Sequence, residues 1–176
     1  GTSISSPWDA YKAKVRVLIV DDSRLGRVIY KHLGSSDNQV IASNLAFSTF
    51  LAAQKNNVPY QIVMIDENLI STDSETLAKK LVNAVENPPP MLVLLAQAVT
   101  VNTKKAEKSN LFFEQMIKPI QPLELTASLT AAWERWAPHN HVKKISKNIN
   151  TPSVFLKALV VEDNVLNQKV IRSYLI

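Results

Sequence analysis

Between Val15 and Trp136, short apolar runs rich in β-branched residues alternate with stretches of helical periodicity. That alternation is the pattern of a parallel sheet covered by helices. The apolar runs predict strands at Val15 to Val20, Gln39 to Ser43, Tyr60 to Ile65, Met91 to Leu95 and Phe113 to Ile117. Their continuous Val, Ile, Leu and Met content suits strands buried on both faces. The periodic stretches predict helices over roughly Arg24 to Leu33, Phe47 to Lys55, Ser74 to Val85, Thr103 to Lys108 and Pro122 to Trp136. The expected architecture is an α/β domain, a five-stranded parallel sheet with helices on both faces. Asp22 or Ser23 is placed to cap the first of these helices, Gly34 to end it, and Asn87-Pro-Pro-Pro to stop the third. Pro122 suits the first turn of the last helix, where its missing N–H costs nothing.

The chain starts the same pattern twice. Leu156-Lys-Ala-Leu-Val-Val-Glu-Asp-Asn restates Val15-Arg-Val-Leu-Ile-Val-Asp-Asp-Ser: an apolar run, two adjacent acids, a small polar residue, then helical periodicity. Residues 1–13 read as an N-terminal linker, 14–137 as the domain, 138–155 as a second linker and 156–176 as the first strand and helix of a truncated second copy. The second linker is polar and bracketed by Pro138 and Pro152. His139 and His141 within it read as solvated. A lone strand and helix cannot bury both faces, so the terminal piece is expected to pair or exchange with another molecule.

Composition narrows the picture. The net charge is +5, carried on lysines dispersed from Lys79 to Lys147 without interleaved aromatics, which fits a solvated basic surface better than a nucleic-acid groove. The absence of cysteine removes disulfides and thiolate metal sites as sources of stability. No apolar run is long enough to cross a bilayer, and membrane contact is not expected of this segment. Trp133 and Trp136, at helical spacing, read as packing residues, and His32 as an ordinary helix residue.

Ligands of an open parallel sheet collect beyond the carboxyl ends of its strands. Those ends carry Asp21 and Asp22 after the first strand, Asp66 after the third and Lys118 after the fifth. Carboxylates converging on one point repel unless a cation joins them, and hard oxygen donors suit Mg²⁺. In Val-Leu-Ile-Val-Asp-Asp-Ser, Ile-Val-Met-Ile-Asp-Glu-Asn-Leu and Met-Ile-Lys-Pro-Ile, the chain resembles the receiver domain of two-component response regulators, a flavodoxin-like fold. The resemblance implies that Asp66 is the phosphoacceptor. It implies that Asp22 and Asp66 ligate Mg²⁺ with the backbone carbonyl of Asn68, that Asp21 acts through the metal shell, and that Lys118 contacts the phosphoryl group. The Glu-Asp-Asn form of the second start, with Asn167-Gln168, resembles receivers attached to hybrid sensor histidine kinases, and Glu162 and Asp163 would be its acid pair.

The chain departs from the family where the signal is transmitted. Ala96 stands where a Thr or Ser is usual, Gln115 where a switch aromatic is usual, and Ile70 where a proline is common. The usual Gly before the fifth strand is missing around Ser109-Asn110. A hydrogen bond to a charged group contributes about 1.5–3 kcal/mol, against about 5.5 kcal/mol for a full population switch. Losing the hydroxyl at Ala96 therefore removes a large share of the drive. Two functions follow: a phosphorelay receiver of a hybrid histidine kinase, or a pseudo-receiver that docks, dimerises or inhibits without phosphotransfer. The first implies as partners a histidine kinase or phosphotransfer domain of the same parent and the second receiver, with a cytoplasmic location and a parent that can be anchored in the inner membrane. The segment itself holds no kinase core. A flavin or nucleotide binder of the same architecture would need a glycine- or hydroxyl-rich loop after the first strand, and Asp21-Asp22-Ser23-Arg24 would repel phosphate without a metal. No helix-turn-helix follows to support a DNA-binding regulator.

Overall fold

The computed structural model describes residues 6–23, 38–86, 88–99 and 110–146. The chain divides into two units, Gly1–Lys144 and Ile145–Ile176. The fold below is that of the first. The second lies outside the described residues except for Ile145 and Ser146. So do the predicted helices at 24–33 and 103–108, Gly34, His32, and the acid pair Glu162 and Asp163.

Five parallel strands form one sheet: β1 (Val17–Val20), β2 (Gln39–Ile41), β3 (Ile62–Asp66), β4 (Met91–Gln97) and β5 (Glu114–Lys118), in the order β2-β1-β3-β4-β5. The α/β architecture read from the sequence is the one observed. Side chains of a strand alternate between its faces, and here each face has its own core. Val17, Ile19, Ile62, Met64, Val93, Leu95 and Met116 pack on one side with Leu125, Leu129 and Ala132 of helix α4 (Pro122–Ser146). Leu18, Val20, Val63, Ile65 and Leu92 pack on the other, beneath Phe50 of α2 (Ser43–Lys55) and Leu77 and Leu81 of α3 (Ser74–Asn83).

The helix ends show why these segments fold locally. Asp73 caps α3 by accepting from the Thr76 N–H at 2.8 Å. Helix α2 ends with Asn57 in the left-handed region (φ 59°), while Val58 N–H returns to Ala53 O and Asn57 N–H to Gln54 O. That closes the last carbonyls, and asparagine tolerates this conformation better than most residues with a Cβ.

Most strand and helix ends shift by one or two residues from the sequence reading, and three differences are larger. Ser43, expected to end the second strand, is the first residue of α2. Helix α4 continues past Trp136 and through Pro138 to Ser146, so the first part of the expected linker is helical; one missing N–H does not stop it. Residues Pro7–Tyr11, expected to be linker, form a helix, α1. The Ser6 hydroxyl accepts from Trp8 N–H at 3.2 Å and Asp9 Oδ2 from Ser6 N–H at 2.9 Å, a reciprocal cap. This turn delivers Trp8 into the core, 1 % exposed, against the α4 face of the sheet. Tyr11 lies against Trp133, which stacks on the buried Trp136. Among the described residues no helix is long and apolar enough to cross a membrane.

Trp8 is thus a core residue in a segment that composition marks as a tail. Trp8→Ala is expected to lower the unfolding free energy by about 3–5 kcal/mol, as large-to-small aromatic truncations do. Urea denaturation followed by circular dichroism measures it; a loss below about 1 kcal/mol, within the range of surface substitutions, would show that the segment is dispensable.

Candidate functional site

The strand order places β1 and β3 side by side at the point where the chain reverses its winding, which is where open α/β sheets gather ligands. Val20 pairs with Ile65, so the next residues, Asp21 and Asp66, emerge together. Asp21, Asp66 and Lys118 each lie two residues beyond a member of one core face, Ile19, Met64 and Met116. The period of two therefore sends all three to the same side of the sheet. The apolar layer ends in a charged cluster.

Its geometry is tight. Lys118 Nζ donates to Asp66 Oδ2 and lies 3.7 Å from Asp21 Oδ2. The side chains are 9 %, 3 % and 1 % exposed for Lys118, Asp66 and Asp21. Strand β4 runs between β3 and β5, so Lys118 reaches across it from its place beside Gln97. The other oxygens turn to the backbone: Asp66 Oδ1 accepts from Asn68 N–H at 2.7 Å, and Asp21 Oδ1 accepts from Ser23 N–H at 2.7 Å and its hydroxyl at 2.6 Å. Asp21 Oδ2 is buried without a hydrogen-bond partner.

Asp22, expected to be a metal ligand, is engaged elsewhere. Its Oδ1 accepts from Ser43 N–H at 2.8 Å, and its Oδ2 accepts from the Ser43 hydroxyl at 2.6 Å and from Ile70 N–H at 2.7 Å. The N-cap position of α2 is Ala42, which has no side-chain oxygen, and Asp22 satisfies the first N–H of that helix from the loop after β1. Burial by itself pushes the Asp22 carboxyl up. The hydrogen bonds from the Ser43 hydroxyl, Ile70 N–H and Ser43 N–H outweigh it and hold the group below its ordinary value.

The remaining predicted positions fall around this cluster. Ala96 is fully buried on β4 and Gln115 half-buried on β5, paired with Leu94. Neither provides a hydroxyl or an aromatic ring. Two residues went unnoticed in the sequence. Glu67, next to the central acid, accepts from Gln97 N–H at 2.9 Å through Oε2 and donates its own N–H to Leu95 O, which ties the loop after β3 to the end of β4. Ser43 ties Asp22 to α2, and its hydroxyl also accepts from Ser71 N–H at 3.1 Å. Only a three-dimensional arrangement brings Ser43 to Asp22, so no local motif marks it.

Two carboxylates face one ammonium, with one buried carboxylate oxygen left without a hydrogen bond; these are oxygens of the kind a hard cation takes, but they are not grouped here to hold one. Asp22 is turned to Ser43, and among the described residues no three acidic, histidine or cysteine side chains are grouped closely enough to hold a metal ion.

No protein-family profile matches the sequence, and no curated protein matches it. Solved structures share the fold. A CheY-like response regulator receiver domain from Methylobacillus flagellatus is 24% identical, with a TM-score of 0.52 over 67% of this chain and 98% of its own. A response regulator receiver domain protein from Clostridium thermocellum is 16% identical, with a TM-score of 0.55 over 75% and 98%. A structure described as adenylate cyclase from Rhodopirellula baltica is 19% identical, with a TM-score of 0.60 over 76% and 98%. At these identities the likeness establishes the receiver fold.

Removing one partner of a buried ion pair leaves an uncompensated charge. Lys118→Ala is expected to cost about 3–5 kcal/mol of stability, with part of the loss recovered when Asp66→Asn is added; unfolding of the two variants decides. Asp22 gives a pH prediction. Because its folded pKa is depressed, its contribution is present above the unfolded value and is lost as pH falls through the folded one. Carboxyl NMR titration should show Asp22 titrating below an ordinary aspartate in the native chain and closer to it in Ser43→Ala.

Proposed function

We propose that this chain is a receiver module of a two-component phosphorelay, in which Asp66 accepts a phosphoryl group from a phosphohistidine. The observation that carries the reading is the buried contact of Lys118 Nζ with Asp66, with Asp21 at 3.7 Å. A carboxylate oxygen of Asp66 attacks phosphorus, the P–N bond breaks, and the imidazole nitrogen leaves with its electron pair and takes up a proton. An acyl phosphate forms. Negative charge spreads over the phosphoryl oxygens, and a fixed ammonium in a site closed to water stabilises it strongly. Lys118 is held there by its own burial and by the β4–β5 register. Asn68 N–H orients the Asp66 carboxylate through Oδ1. Asp21, Asp66 and the Asn68 carbonyl, joined by Asp22 once it leaves Ser43, would hold Mg²⁺, which when bound neutralises phosphoryl charge.

The resemblance to hybrid-kinase receivers supports placing the module in such a parent, in the cytoplasm. Its partners would be a phosphohistidine domain and a second receiver.

A second reading, a docking module without phosphotransfer, is favoured by one specific feature. Asp22 is committed to Ser43 and Ile70, while Glu67 pins the end of β4 beside a residue, Ala96, that has no hydroxyl to offer. The loop after β3 and the end of β4 are already tied down.

Incubating the chain with Mg²⁺ and acetyl phosphate and measuring intact mass separates the two. The expected result is a Mg²⁺-dependent phosphoryl adduct that Asp66→Asn abolishes. A folded native chain without adduct, while a known receiver labels in parallel, would leave the docking reading standing.

A further inference from the structure

Asp22 could not serve as a cation ligand and keep its present bonds at once. As a cation ligand it must turn towards Asp21 and Asp66, yet here both of its oxygens are taken by Ser43 and Ile70. Ser43 is buried, 5 % exposed, and its hydroxyl donates to Asp22 Oδ2 while accepting from Ser71 N–H. The loop after β3 is held at two successive amides, Ile70 by Asp22 and Ser71 by Ser43. Ile70 itself is 83 % exposed, so its side chain has no burial to anchor the loop. Its contribution is the N–H, a donor that a proline at this position would lack.

We infer that Asp22, Ser43 and Ile70 form a latch that withholds Asp22 from the acid site, and that cation binding there is coupled to release of the loop after Asp66. Ser43 is a positioning residue in this scheme. It acts on a cation only through Asp22, by offering the carboxylate a competing set of donors. The inference rests on the Mg²⁺ reading above and adds its regulation: the bonds to be exchanged for metal are those that fix Ile70 and Ser71. A structural cap for α2 alone would need only Ser43 N–H, which Asp22 Oδ1 already accepts; the hydroxyl and the Ile70 amide both converge on Oδ2.

The test is calorimetric titration of Mg²⁺ into the full chain and its variants, with amide hydrogen exchange on the native chain. A hydrogen bond to a charged group contributes enough that removing the competing hydroxyl should tighten Mg²⁺ binding about tenfold in Ser43→Ala. Ser43→Thr, which keeps the hydroxyl, should restore the native affinity. Ile70→Pro, which removes one donor at an exposed position, should also tighten binding and serves if Ser43→Ala does not fold. In the native chain, saturating Mg²⁺ should speed exchange at the Ile70 amide and leave the interior of α2 protected. Equal Mg²⁺ affinity in the native chain, Ser43→Ala and Ile70→Pro, or unchanged Ile70 protection on saturation, overturns the latch and leaves the metal site intact. Absence of Mg²⁺ binding in every one of these proteins overturns the metal reading, and the coupling with it.

Discussion

Two aspartates buried side by side at the end of a parallel sheet are the constraint around which this domain is arranged. Like charges brought together out of water repel. Lys118 is what makes their proximity tolerable, since its ammonium donates to Asp66 and lies 3.7 Å from Asp21. Lys118 must come from two strands away from Asp66. The β3–β4–β5 register, with Asp66 beside Leu95 and Lys118 beside Gln97, sets where its stem begins, and Met116 anchors the strand from which it extends. The apolar face beneath the site therefore does more than stabilise the sheet. It fixes the origin of each charged side chain.

Around this centre, the loops at the carboxyl ends of the strands are cross-linked by side-chain bonds to backbone amides. Asp22 joins the loop after β1 to the start of α2 and to Ile70, and Glu67 joins the loop after β3 to the end of β4. Such bonds satisfy amides that a loop would otherwise leave to solvent, at the cost of occupying carboxylates that could serve a ligand. The departures from the receiver pattern then become connected. Ala96 carries no hydroxyl and Glu67 holds that strand end, while Ile70 supplies to Asp22 an amide that a proline would lack.

Much of this was legible from residue order. The five apolar runs became the five strands, and their period-two split into two cores follows from a backbone whose side chains alternate. Asp21, Asp66 and Lys118 were placed at strand ends by the same pattern, and the sheet does gather them. Local capping was less visible. Ser6 and Asp9 are a recognisable pair, yet the helix they open is five residues long, and Trp8 and Tyr11 are too few to show a period in the sequence.

The sequence by itself determined the sheet, its two faces and the three charges that converge on one point, because strand periodicity and strand ends are local properties of the chain. Tertiary structure alone decided what Asp22 does. Its partners, Ser43 and Ile70, lie 21 and 48 residues away along the chain. No periodicity links positions so far apart; only the packing of α2 and the β3 loop against the end of β1 brings their donors within reach of one carboxylate.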